Sequence, residues 1–369
     1  MDPLKVVFLG PLASFSHQVC VAPQLKVTIS LLDVGFANSR IQAAAESFAK
    51  SSSVLLPQAS FADAFSAIQK QEADYAVIPC ENSTNGSVVQ TLDLLADRNN
   101  QYNDVKVCGE YYLTVRHCLL VNKGSYPNGW TGYDGSIRKL YTHPQVWGQC
   151  DKFLSQYFKD IERQDVSSTS KAAEIVAEEP NEKTAAIASR FAAEYHGVNV
   201  LKENIEDRAD NTTRFLILRN VLVERTARLD LDISSLTTTQ DESLNTHKTL
   251  ISFSVNHTSP GALADALVIF KTHGLNLTTI NTRPSLRRAW QYIFFVECGC
   301  TPSDQNRDAV SKALNDLRQV TEACRDLGTW RDRLGQSRSR ASLLSLGQHY
   351  FDDSRMGKCI QPHGSDTAT

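Results

Sequence analysis

Asp74-Tyr75-Ala76-Val77-Ile78-Pro79-Cys80-Glu81-Asn82-Ser83-Thr84-Asn85-Gly86-Ser87 runs an apolar segment straight into a cluster of amides and hydroxyls. Ala76-Val77-Ile78 reads as a buried strand, and Val88, Leu92 and Leu95 mark the next helix at i, i+4 and i+7. The same order recurs upstream. Lys5 to Leu9 is a short apolar run ended by Gly10-Pro11, with a helix expected from the Ser14-Phe15-Ser16 cluster. Val54-Leu55-Leu56-Pro57 precedes Ala62 to Ile68, where Ala64, Phe65 and Ile68 share a helix face. Such alternation predicts an α/β fold, a parallel sheet with helices on both faces.

Downstream the pattern repeats. Lys139-Leu140-Tyr141 leads to a helix that Pro144 opens, with Val146, Cys150 and Phe153 as its core stripe. A run from Ile161 to Val166 meets the Ser167-Ser168-Thr169-Ser170 cluster and a helix through Ala172, Ala173 and Val176. Ala185-Ala186-Ile187 gives a strand, a helix ends at Gly197, and the last strand runs from Thr213 to Leu218. Residues 223–247, with the polar Ser234 to Ser243, read as a linker. From Lys248 the order becomes strand–helix–strand–strand–helix–strand, ferredoxin-like, to about residue 332. Residues 333–369 open with arginines and read as a disordered tail.

At 369 residues and 41% hydrophobic content the chain can build two or three cores. A net charge of −3 argues against a nucleic-acid partner, and no apolar run approaches a membrane span. Nine cysteines without zinc-ribbon spacing read as reduced thiols of a cytoplasmic protein.

Asn211-Thr212-Thr213-Arg214-Phe215 places a carboxamide, hydroxyls and a guanidinium at a strand mouth. Arg214 could grip a carboxylate with two parallel bonds, with Asn211 and Thr213 as neutral donors beside it. The alternative is a strand start capped by polar turn residues. Both remain open on these residues alone.

Together with Gly10-Pro11-Leu12-Ala13-Ser14-Phe15-Ser16 and Tyr141-Thr142-His143-Pro144-Gln145, these blocks make the chain resemble prephenate dehydratases. The resemblance implies decarboxylating dehydration of prephenate to phenylpyruvate, without metal or other cofactor. It implies a two-lobed catalytic domain of the type II periplasmic-binding-protein kind over 1–222. Lobe one would take 1–111 and 196–222, and lobe two 112–195. Thr213 matches the threonine of the family's Thr-Arg-Phe motif and is expected to act at the leaving hydroxyl. Asn82, Ser83, Ser168, Thr169, Asn211, Arg214 and Ser16 are expected to contact substrate. Glu81 is either a buried acid of the site or a cap of the following turn. Ala13 and Ser14 replace the glycine and threonine of the family's first block. His143 reads as a strand end before a helix opened by Pro144.

Residues 248–332 resemble an ACT domain, which implies phenylalanine as effector and at least a homodimer. Gly261, Ala262 and Leu263 match its helix-opening loop. Asn281-Thr282-Arg283-Pro284 stands where relatives carry Glu-Ser-Arg-Pro, so Asn281 and Arg283 are the remaining effector candidates. Two other functions compete: an arogenate dehydratase, and a non-catalytic sensor of a small anion.

Overall fold

The computed structural model describes residues 3–21, 53–126, 129–132, 135–179, 183–227, 246–300 and 304–334. The expected linker core around Ser234 to Ser243, and all but the first two residues of the expected tail, lie outside them.

Three sheets organise the described residues. The first pairs β2 (Ser53–Gln58), β1 (Leu4–Leu9), β3 (Tyr75–Asn82), β11 (Thr212–Asn220) and β5 (Val105–Thr114) in that order, with β4 (Gly86–Ser87) folded back on β3. β1, β2 and β3 run parallel, and β11 lies antiparallel between β3 and β5. Side-chain alternation divides its apolar residues between two cores. Val7, Ala76, Ile78, Leu216 and Leu218 face helices Phe61–Gln69 and Val89–Ala96. Val6, Phe8, Tyr75, Val77, Phe215 and Ile217 face helix Phe15–Val21. A strand buried on both sides reads as an unbroken apolar run, which is why Ala76-Val77-Ile78 carries no polar alternation.

The second sheet orders β10 (Asn199–Lys202), β6 (Cys118–Val121), β9 (Thr184–Ala188), β7 (Lys139–Thr142) and β8 (Glu162–Asp165). Two features depart from the expected lobe limits. β5 continues to Thr114 in lobe one, and β10 pairs with β6, so residues up to Lys202 belong to lobe two. The helix expected from Pro144 is broken into Pro144–Trp147 and Asp151–Tyr157.

The crossings between lobes are therefore 115–117 and 203–211, and they bind each other. Val115 N–H donates to Asn211 O at 2.8 Å, and Ile205 N–H to His117 O at 3.0 Å. The Glu206 carboxylate accepts from His117 N–H at 2.9 Å and pairs with Arg116 at 2.8 Å. The fully buried His117 ring meets Gln149 Oε1 at 2.7 Å through Nε2.

The third sheet orders β13 (Asn276–Pro284), β14 (Tyr292–Cys300), β12 (His247–Ser254) and β15 (Ala323–Arg331), all antiparallel. Helices Ala262–Thr272 and Asp304–Val320 cover one face. The other face joins the core of lobe one through Leu250, Phe295, Leu327 and Trp330. The described residues up to Asp332 form one compact unit. Among the described residues no helix is long and apolar enough to cross a membrane.

β15 crosses β5 at very close range. At Gly328, with φ +126°, an added Cβ would lie 2.0 Å from Val107 O, so glycine is required there on two counts. Gly328→Ala should cost about 3 kcal/mol or more, read as the urea unfolding midpoint. An unchanged midpoint would contradict this contact.

Burial lowers the His117 pKa, a shift that the Gln149 bond opposes. An unfolded chain takes up that proton at about pH 6.5, so stability is full above this value and falls as pH drops below it. His117→Gln should flatten the acid slope of the unfolding free energy between neutral and mildly acidic pH. An equal slope in both proteins would remove His117 from the account.

Candidate active site

Thr213 and Asn82 are cross-strand partners where β11 begins and β3 ends. Asn82 Nδ2 donates to Thr213 Oγ1 at 3.0 Å and to Asn211 Oδ1 at 2.8 Å. Its Oδ1 accepts from the backbone N–H groups of Thr84 and Asn85 at 3.0 and 2.9 Å, fixing which way the amide points. A carboxamide nitrogen can only donate, so Thr213 Oγ1 accepts from it and keeps its own proton for another acceptor. Thr213 is partly exposed, whereas Asn211 is buried behind it. Ser83 closes the corner: its N–H donates to Thr212 O at 2.8 Å, and its Oγ accepts from Thr212 N–H at 2.9 Å.

These groups lie beyond the carboxyl end of β3, the end at which α/β sheets present ligand sites. The loop after β1 lies at the same end of the sheet. There Ala13 holds φ +62°, a left-handed conformation that glycine adopts more readily. Ser16 is buried in the first turn of helix Phe15–Val21. Ser170 Oγ donates to Leu12 O at 2.6 Å, bringing helix Thr169–Glu178 of lobe two against this loop. Ser168 caps that helix, accepting from Lys171 N–H at 3.0 Å, and Thr169 is buried in its first turn. No described contact joins Ser168 or Thr169 to the Thr213 cluster. His143 caps helix Pro144–Trp147, its ring accepting from Gln145 N–H.

The family model described as "Prephenate dehydratase" matches residues 6–221. The chain belongs to the prephenate dehydratase family. It is 32% identical over 327 residues to a bifunctional chorismate mutase/prephenate dehydratase of Aquifex aeolicus, covering 89% of this chain and 73% of that protein. It is 33% identical over 332 residues to a probable prephenate dehydratase of Saccharomyces cerevisiae, covering 80% and 86%. A solved prephenate dehydratase of Arthrobacter aurescens, in complex with L-Phe, shares the fold: TM-score 0.64, 22% identity, 96% and 100% coverage.

Arg214 departs from its expected place. Adjacent strand residues face opposite ways, so Arg214 and its partner Glu81 lie on the other side of the sheet from Thr213 and Asn82. Arg214 Nε donates to Glu110 at 2.9 Å, and Nη2 pairs with Glu110 at 2.7 Å and with Glu297. Tyr112 and Trp330 rings each lie 5.9 Å from it. Burial disfavours the charge, but Glu110 and Glu297 outweigh it, so the Arg214 pKa is raised. Its side chain is only 8% exposed, and it is spent on the protein rather than on an anchored anion. Glu81 is 4.0 Å from it and equally turned away from the Thr213 cluster.

The expected effector residues also separate. Within one chain, Asn281 and Arg283 sit opposite Phe295 and Ile293, on the sheet face turned to lobe one. Asn281 Oδ1 accepts from Ser87 Oγ at 2.7 Å, and Arg283 makes a fork with Asp93 at 2.8 and 2.9 Å. Gly261, Ala262 and Leu263 instead line a pocket of about 230 Å³ with Tyr292 and Phe294. Strand parity, invisible in a short motif, puts the two groups on opposite faces.

Glu110, Glu297 and Lys248 carry much of this arrangement, and no sequence motif marks them. Glu110 interrupts the run Val105–Thr114, and a buried carboxylate looks like a surface one until its partners are known. Arg214→Lys should lose about 2–3 kcal/mol of stability, because an ammonium cannot bond both carboxylates as the fork does. A variant of wild-type stability with a strongly raised KM would instead make Arg214 a substrate anchor.

Proposed function

We propose that the chain converts prephenate to phenylpyruvate, water and carbon dioxide, with the Thr213 hydroxyl placed at the departing hydroxyl. Family membership supports the reaction. The bond from Asn82 Nδ2 to Thr213 Oγ1 is the single observation that supports the role, because it leaves the Thr213 proton directed away from its neighbour. In the reaction the ring–carboxylate bond breaks and its electron pair enters the ring. The carbon–oxygen bond to the hydroxyl breaks, and the oxygen leaves as water after taking up one proton. A threonine is a weak acid, so its contribution is a hydrogen bond that strengthens as charge builds on the leaving oxygen.

With Arg214 occupied, the substrate carboxylates are assigned to the hydroxyls of Ser83, Ser16, Ser168 and Thr169. The N-terminus of helix Thr169–Glu178 favours negative charge there. Phenylalanine is assigned to the pocket at Gly261, where φ is +85° and two aromatic rings are at hand. The Arthrobacter aurescens enzyme, solved as a complex with L-Phe, supports this effector. A homodimer is proposed through the C-terminal domain, where Ile280 and Val268 are each more than half exposed.

Purified protein given prephenate should generate phenylpyruvate absorbance. Thr213→Ala should lower kcat about 10²–10³-fold with KM little changed. Near-normal kinetics would remove Thr213 from the mechanism. Activity on arogenate alone would favour the amino-acid form of the substrate, and no turnover of either would leave a sensor.

A further inference from the structure

The strands that carry Thr213 and Asn82 are each held from behind by the C-terminal domain. On β11 the hold is Arg214, one residue from Thr213, gripped by Glu297 of β14. Glu297 is itself fixed: its Oε1 accepts from Thr278 Oγ1 at 2.9 Å and lies 3.8 Å from Lys248 Nζ. On the β3–β4 hairpin the hold is Ser87, whose Oγ donates to Asn281 Oδ1 at 2.7 Å. Ser87 pairs with Glu81 and Gly86 with Asn82, so the hairpin gripped at Ser87 is the one that presents Asn82. Between these holds the ladder is irregular. Arg214 pairs with Glu81 but Phe215 pairs with Pro79, leaving Cys80 as an extra residue. A bulge re-aims the side chains beside it, so backbone pairing alone does not fix Thr213.

We infer that Glu297 and Asn281 of the C-terminal domain are positioning residues for the reaction, setting the Thr213–Asn82 hydrogen bond through Arg214 and Ser87. This rests on the dehydratase reading above. It gives Asn281 a task that differs from effector binding: a neutral acceptor for a hydroxyl of the catalytic hairpin. A small displacement of a reacting group is costly to turnover and nearly neutral to substrate capture, so the effect belongs in kcat.

Glu297→Gln should lower kcat about tenfold while KM stays within about threefold. Asn281→Ala and Ser87→Ala should each lower kcat a few-fold, and the double variant should lose no more than either alone. Asn281→Asp keeps the acceptor and should retain wild-type kcat. A structural role alone would lower stability and leave kcat per folded molecule unchanged. The Thr213 methyl resonance, assigned by its loss in Thr213→Ala, gives a reading independent of activity and should shift in Glu297→Gln and Ser87→Ala. The inference is overturned if that resonance stays in place, or if active wild-type protein and all these variants share one kcat. Absence of wild-type turnover with a shifting Thr213 methyl would instead overturn the dehydratase reading and leave the positioning intact.

Discussion

Four buried charges hold the molecule together where β11 meets the C-terminal sheet. Arg214 and Lys248 face Glu110 and Glu297, and each side chain is 8% exposed or less. Moving any of these groups out of water alone would cost several kcal/mol, so the cluster is tolerable only as a balanced set. Glu110 accepts from both Arg214 and Lys248 and so ties β5 to β11 and to β12. Around the charges the packing is apolar and continuous, with Leu250, Phe295, Leu327 and Trp330 sharing a core with Ile78 and Leu216. The charges sit within this contact, and the apolar shell around them supplies most of its free energy.

The alternation of side chains along β3 and β11 divides the motif between two tasks. Thr213 and Asn82 face away from the C-terminal domain, and Arg214 and Glu81 face the domain contact. Neighbouring letters of one motif thus serve chemistry and architecture separately. Lobe two approaches from the other side, where Ser170 reaches Leu12 O and the paired crossings at Glu206 tie the lobes together.

Much of the fold is legible in the sequence because apolar runs report burial directly. Lys5 to Leu9, Ala185 to Ile187 and Thr213 to Leu218 mark strands within a residue or two, and Ala76 to Ile78 marks the buried first half of β3, which runs on to Asn82. β5 escapes such a reading because Gly109 and Glu110 interrupt its pattern, and Glu110 is neutralised by Arg214, 104 positions away. β10 is four residues with one buried side chain, too little signal to separate it from a turn, so the second crossing lies later than expected. At the site, Asn82, Ser83, Asn211 and Thr213 converge on the expected corner, since turn-forming amides and hydroxyls at a strand end have few other uses. Arg214, Glu81, Asn281 and Arg283 depart from their expected places for one shared reason. Which face a strand residue takes is set by packing partners far along the chain, not by its motif.

If lobe one and the C-terminal sheet share a core built on the Arg214 cluster, their strands must open together. Native-state hydrogen exchange on the full chain measures this directly. The slowest amides of β11 and β5 should exchange with the same opening free energy and denaturant dependence as those of β12 and β14. Exchange of β12 and β14 through a separate, lower-energy opening that leaves β11 protected would contradict the account.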